Sequence, residues 1–199
     1  MIRAIIFDLS DVCSNAEEPP FIKAFAEKHG LDFPEFEKRY MELLYKAENN
    51  EISGRELWRI LLAQYKPTLD IDEIIADMMS GKVAYQPTLD LVKKLRQTCK
   101  TAFFTNYNED YWKYIDRKFT LKEYFDVELV SYMIGARKPA VNGFQYLLEK
   151  LGVNSEEAVF TDDSAKNLEN VRKLGIHTIQ FQNVVQLARN LRELGVSIE

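Results

Sequence analysis

Five short apolar runs, residues 2–8, 101–105, 127–131, 158–162 and 177–181, constrain this chain more than any other feature. Their apolar residues fall on both parities, so neither face of such a strand can be left to water. A parallel sheet covered by helices on both sides meets that demand. Helical spacing fills the intervals. Thr88 is placed to cap a helix carrying Leu91, Val92 and Leu95, and Val141, Phe144, Leu147, Leu148 and Leu151 recur at helical period before Gly152. Ala165, Leu168, Val171 and Leu174 repeat the pattern before Gly175, and Val184, Leu187, Ala188, Leu191 and Leu194 repeat it before Gly195. Strand and helix in alternation predict an α/β fold, a doubly wound, Rossmann-like parallel sheet.

The alternation is broken once. Residues 17–84 read as successive helices, with Ser53, Gly54, Arg55 and Glu56 forming a capping box. This predicts a helical unit inserted after the first strand, joined through the polar, proline-containing segments 14–20 and 85–87. The expected division is a core of residues 1–15 and 86–199 and a helical cap of residues 16–85. With 199 residues, 46% of them hydrophobic, the chain can bury one substantial core.

Its 26 basic and 31 acidic residues are spread rather than blocked, for a formal charge of -5. That distribution offers no surface for nucleic acid or membrane and points to a small ligand or a protein partner. Arg3 and Asp8 interrupt the first apolar run, which is too short for a secretory signal, so a cytoplasmic setting is expected. Cys13 and Cys99 have neither metal-ligand spacing nor disulfide-scaffold density and read as reduced thiols.

Ligands of open parallel sheets bind off the carboxyl ends of the strands. The first run ends in Asp8, the second in Thr105 and Asn106, and the fourth in Asp162 and Asp163, while Lys138 precedes Pro139 after the third. Each has an ordinary alternative as a cap, a turn residue or a solvated lysine. Together they form the set that phosphoryl transfer uses. A carboxylate attacks phosphorus, a divalent cation held by further carboxylates offsets charge, and lysine, hydroxyl and amide hold the phosphoryl oxygens. All-oxygen ligands favour Mg²⁺.

In order along the chain, "FDLSDV", "FFTNYN", "ARKPA" and "FTDDSAKN" resemble the four motifs of the haloacid dehalogenase superfamily, in the subgroup with a helical cap after the first motif. With "GIHTIQF" and an "EIS" segment in the insertion, the likeness is nearest to sugar-phosphate phosphatases of the α-D-glucose-1-phosphate phosphatase type. The resemblance implies a Mg²⁺-dependent phosphatase acting on a small phosphate ester through an aspartyl-phosphate. Asp8 would be nucleophile and metal ligand. Thr105 and Asn106 would bind the phosphoryl group, and Lys138 would orient Asp8 and neutralise phosphate. Asp163 would ligate Mg²⁺ directly, with Asp162 doing so directly or through water.

The departure falls at Ser10. Most phosphatases of the family carry there a second aspartate that protonates the leaving group and then activates water. Ser10 keeps a backbone carbonyl for Mg²⁺, but its hydroxyl is no substitute for a tuned acid, and losing such help costs roughly a hundred- to ten-thousand-fold in rate. Asp11 would replace the acid only if a turn after Leu9 redirected it; on an extended strand it faces away and serves the loop. Two other readings remain. A metal-independent 2-haloacid dehalogenase needs no acid for a halide, and a catalytically weak domain would use the same fold for binding. Tyr107, Tyr111, Trp112 and Tyr114 read as helix packing rather than an aromatic platform. Arg137 is either a phosphate neutraliser or a solvated loop residue. Cys13, Asn15 and residues of the insertion are the candidates to meet the leaving group. His29 and His177 lie too far apart in sequence for a shared site.

Overall fold

The computed structural model describes residues 1–16 and 18–198. Glu17, where the helical reading of the insertion begins, and Glu199 lie outside them. Five strands, β1 (Ala4–Phe7), β2 (Lys100–Thr105), β3 (Val127–Val130), β4 (Ala158–Asp162) and β5 (His177–Gln180), form one all-parallel sheet in the order β3-β2-β1-β4-β5. The expected α/β, Rossmann-like fold is thus present.

The double-sided burial inferred from the sequence has a direct physical cause. Ile5, Phe7, Phe103 and Val159 join one apolar cluster, while their neighbours Ala4, Ile6, Ala102, Phe104, Ala158 and Phe160 join the other. The second cluster is closed by α8 (Val141–Leu151) and α9 (Ala165–Arg172), and the first by α5 (Gln86–Leu95) and α10 (Val184–Glu193). Packing on the α8 side is tight. A Cβ on Gly143 would lie 2.4 Å from Phe104 Cε1. We therefore expect Gly143→Ala to lower stability by about 1–3 kcal/mol through overpacking, read as a lower denaturation midpoint with an unchanged denaturant slope.

Between β1 and β2 run α1 (Glu18–His29), α2 (Phe33–Glu48), α3 (Gly54–Leu62) and α4 (Ile71–Ser80). Ser53 caps α3 as expected, accepting from Glu56 N at 3.0 Å, but the box is half made, because Glu56 turns to Arg59 instead. Thr88 does not cap α5. Pro87 fits the first turn, so the helix starts earlier, with Tyr85 at its N-cap and Thr88 buried inside. Helices α3 and α4 pack on α6 (Glu109–Phe119) of the sheet-bearing part. Their contact is close enough that a Cβ on Gly54 would meet Asn108 Oδ1 at 2.4 Å.

The two crossings into and out of the insertion are tied to each other. Tyr85 N donates to Cys13 O, Asn15 N to Val83 O and Val83 N to Asn15 Oδ1, at 2.7, 3.1 and 2.6 Å. Cys13 and Cys99 are both buried thiols. Among the described residues no helix is long and apolar enough to cross a membrane.

Candidate active site

The register explains why the polar strand ends meet. Phe7 is level with Phe103 on one side and Thr161 on the other, so one residue further along β1 brings Asp8 beside Asp162, at the end of β4. Asp8 N donates to Thr161 O at 2.9 Å. Lys138 enters from the loop after α7 (Ser131–Ile134), which follows β3 directly. Its Nζ lies 2.6 Å from Asp8 Oδ1 and 2.8 Å from Asp162 Oδ2.

All three groups are buried. Burial, joined by the charge of Asp162, pushes the Asp8 carboxyl up to about 7 against the pull of Lys138. Burial lowers Lys138, but the two carboxylates outweigh it and hold its ammonium above the ordinary lysine value. Asp162 is fixed further by Ser164 N at 2.9 Å and by Asn167 Nδ2 at 3.1 and 3.0 Å. Asn106 Oδ1 accepts from Lys138 N at 2.8 Å, which fixes the lysine's backbone. Thr105 is buried at the end of β2 and lines the same cavity as Asp8, Asn106 and Lys138.

Asp163 is exposed, and burial of part of its carboxyl together with the charges of Asp162 and Asp11 raises its pKa. One carboxylate oxygen each from Asp8, Asp162 and Asp163 lies within 4.8 Å of the others. Three carboxylates against one ammonium leave a net negative charge of hard oxygen donors, which fits a Mg²⁺-sized cation. Both oxygens of Asp162 already accept hydrogen bonds, so Asp8 and Asp163 are the freer donors.

Ser10 lines the cavity too, and its Oγ lies 2.8 Å from the Tyr107 hydroxyl. Tyr107 is buried, and burial holds its phenol well above the ordinary tyrosine value, so it is a poor acid at neutral pH. Asp11 sits in a left-handed turn (φ 58°), is exposed, and accepts from Ala16 N at 3.1 Å; it serves the loop. Cys13 and Asn15 do not line the cavity. Cys13 belongs to the apolar cluster, and Asn15 is spent on the joint with Gly81 and Val83.

The cavity, about 240 Å³, lies between the strand ends and the insertion. The sequence pointed to residues of the insertion here without singling any out; Glu18 and Ile22 of α1 and Met41, Leu44 and Glu48 of α2 form the wall. Arg137 is no solvated loop residue: its Nε pairs with Glu48, its guanidinium lies 3.9 Å from the Tyr45 ring, and its backbone N donates to Asn49 Oδ1 at 3.1 Å. Tyr111 and Trp112 are core, as expected.

The model of the haloacid dehalogenase-like hydrolases matches residues 2–175. The chain belongs to that family. Flavin mononucleotide hydrolase 1 of Arabidopsis thaliana is 28% identical over 176 residues, 86% of this chain and 65% of that protein, so the chain spans slightly under two thirds of this relative's length. D-ribitol-5-phosphate phosphatase of Bacteroides thetaiotaomicron is 23% identical over 193 residues, 92% of this chain and 93% of that protein. A HAD family enzyme from Bacteroides thetaiotaomicron, solved as a magnesium complex, superposes with a TM-score of 0.80 at 26% identity, covering 91% of this chain and 93% of that one. The hydrolase family expected from the four motifs is therefore the right one.

Proposed function

We propose that this haloacid dehalogenase-like hydrolase is a Mg²⁺-dependent phosphomonoesterase that acts on a small phosphate ester, of the sugar-phosphate kind, through an aspartyl-phosphate on Asp8. One observation carries the reading: Asp8, Lys138, Asp162 and Asp163 converge at the ends of β1 and β4, with Thr105 and Asn106 beside them. The phosphatase name of the Bacteroides thetaiotaomicron relative supports it.

Asp8 attacks phosphorus, the bond to the leaving oxygen breaks, and water then releases phosphate from Asp8. Lys138 holds Asp8 in place and offsets charge on the phosphoryl oxygens, while Thr105 and Asn106 supply donors to them. Asp8, the Ser10 carbonyl, Asp163 and Asp162 would hold Mg²⁺, which when bound offsets the charge of the transferring group. Asp162 would act directly or through water. Residues 1–15 and 86–199 serve as the catalytic core and residues 16–85 as the cap that screens the cavity from water.

The acidic trio favours this reading over a dehalogenase, whose attack on carbon has no need of a cation. Purified protein assayed on a panel of phosphate esters is expected to release phosphate with Mg²⁺ and to lose that activity in chelator. Full activity in chelator, or halide release from 2-haloacids without metal, would sink the proposal.

A further inference from the structure

A pre-set polar pair lies in the wall of the cavity. Glu48, on the last turn of α2, and Arg137, from the loop that carries Lys138, form an ion pair with side chains only 7% and 27% exposed. Arg137 is immobilised on three sides, by Glu48 at Nε, by the Tyr45 ring over its face and by Asn49 at its backbone. The ion pair engages Arg137 Nε and Glu48 Oε2, and the Nη groups and Oε1 lie beyond that contact. Both residues line the cavity. A long cation in a loop normally spends much side-chain entropy on binding; here that cost is met on folding.

Lys138 points into the buried carboxylates while Arg137 turns the other way, to α2, so the pair faces the part of the substrate that leaves. The rest of that wall joins the apolar side chains of Ile22, Met41 and Leu44 to the carboxylates of Glu18 and Glu37, and Arg137 is its one cation among the described residues. An Nη–H donor beside a carboxylate acceptor matches a hydroxyl, or two neighbouring hydroxyls, which accept from one and donate to the other. A volume of about 240 Å³ is below the range of roughly 300–1,000 Å³ usual for drug-sized ligands, so the leaving group is small.

We propose that Glu48 and Arg137 are specificity-determining residues that read hydroxyls on the leaving group of a small phosphate ester. The inference rests on the phosphatase reading above. A site built to bond a hydroxyl penalises the analogue that lacks it, because its own polar atoms are then buried unpaired.

Glycerol 1-phosphate and propyl phosphate share a carbon skeleton and differ in the hydroxyls. Wild-type protein with Mg²⁺ is expected to prefer glycerol 1-phosphate in kcat/KM. Glu48→Gln and Arg137→Met are each expected to cut that preference by about 10- to 100-fold, through a larger loss of kcat/KM on glycerol 1-phosphate than on propyl phosphate, with circular dichroism and the melting temperature as the check on folding. Parallel loss on both esters would overturn the proposal, reducing the pair to a brace for the Lys138 loop; so would a preference that survives both substitutions. The phosphatase reading fails separately, if wild-type protein shows no Asp8-dependent release from either ester or from p-nitrophenyl phosphate, and the proposal falls with it.

Discussion

Asp8→Asn is expected to reduce phosphate release by more than about 10⁴-fold, the scale on which removal of a nucleophile acts. Asparagine keeps the shape of the side chain and can still accept from Leu9 N and Lys138 through its oxygen, which Asp8 Oδ1 now does at 2.6 Å to each. The loss would therefore be chemical, not a failure to fold. The same variant carries a stability signature with a defined sign. An unfolded chain gives up the Asp8 proton near 3.8, whereas the folded protein holds it up to about 7. The folded state thus binds the extra proton between those values, and metal-free stability falls as pH rises through that window, then levels off. Asparagine removes this dependence. In chelator, Asp8→Asn should gain melting temperature relative to wild type as pH goes from 5 to 8. Glu48, which burial also pushes up to about 7 against Arg137, adds the same slope to both proteins and cancels in the difference. A difference that shrinks with pH would contradict the burial-driven shift, and residual activity of a few per cent would remove Asp8 from the nucleophile's role.

What the sequence disclosed follows from which forces act locally. Strand burial on both parities is a local signal, so all five strands were legible within two residues at each end, and so was the place where their ends meet. The position of Asp8 beside Asp162 then required only the parallel register. Contacts made across the insertion were not legible. Nothing in the string ties Arg137 to Glu48, 89 residues away, or Ser10 to Tyr107, 97 residues away. Tyr107 was expected to pack in a helix because aromatic residues follow it, yet it lies before α6, in the loop that reaches the cavity. Thr88 was misplaced as a cap because its neighbour Pro87 carries the stronger start signal.

Ser10→Asp is expected to raise the rate on alkyl phosphate esters by about 100-fold, the lower end of what general acid-base help supplies. Ser10 shares the cavity with Asp8 and is half-buried, so a carboxyl there would sit where a leaving oxygen departs. The Tyr107 hydroxyl, 2.8 Å from Ser10 Oγ, would become a donor to the new carboxylate and help orient it. Neither Asp11 nor Tyr107 is suited to that role now, one turned to the loop and the other held protonated by burial. The gain should be smaller for p-nitrophenyl phosphate, whose leaving group departs without a proton. That contrast separates restored acid catalysis from a general effect on binding or folding, which would move both esters alike. An unchanged rate on alkyl esters would mean that another carboxyl of the cavity already serves as the acid, and Glu18 and Glu48, both in its wall, would be the groups to substitute. A lower rate would mean that a further negative charge beside Asp8 outweighs the proton it can give. Ser10 would then mark a site whose charge is already balanced without the usual aspartate.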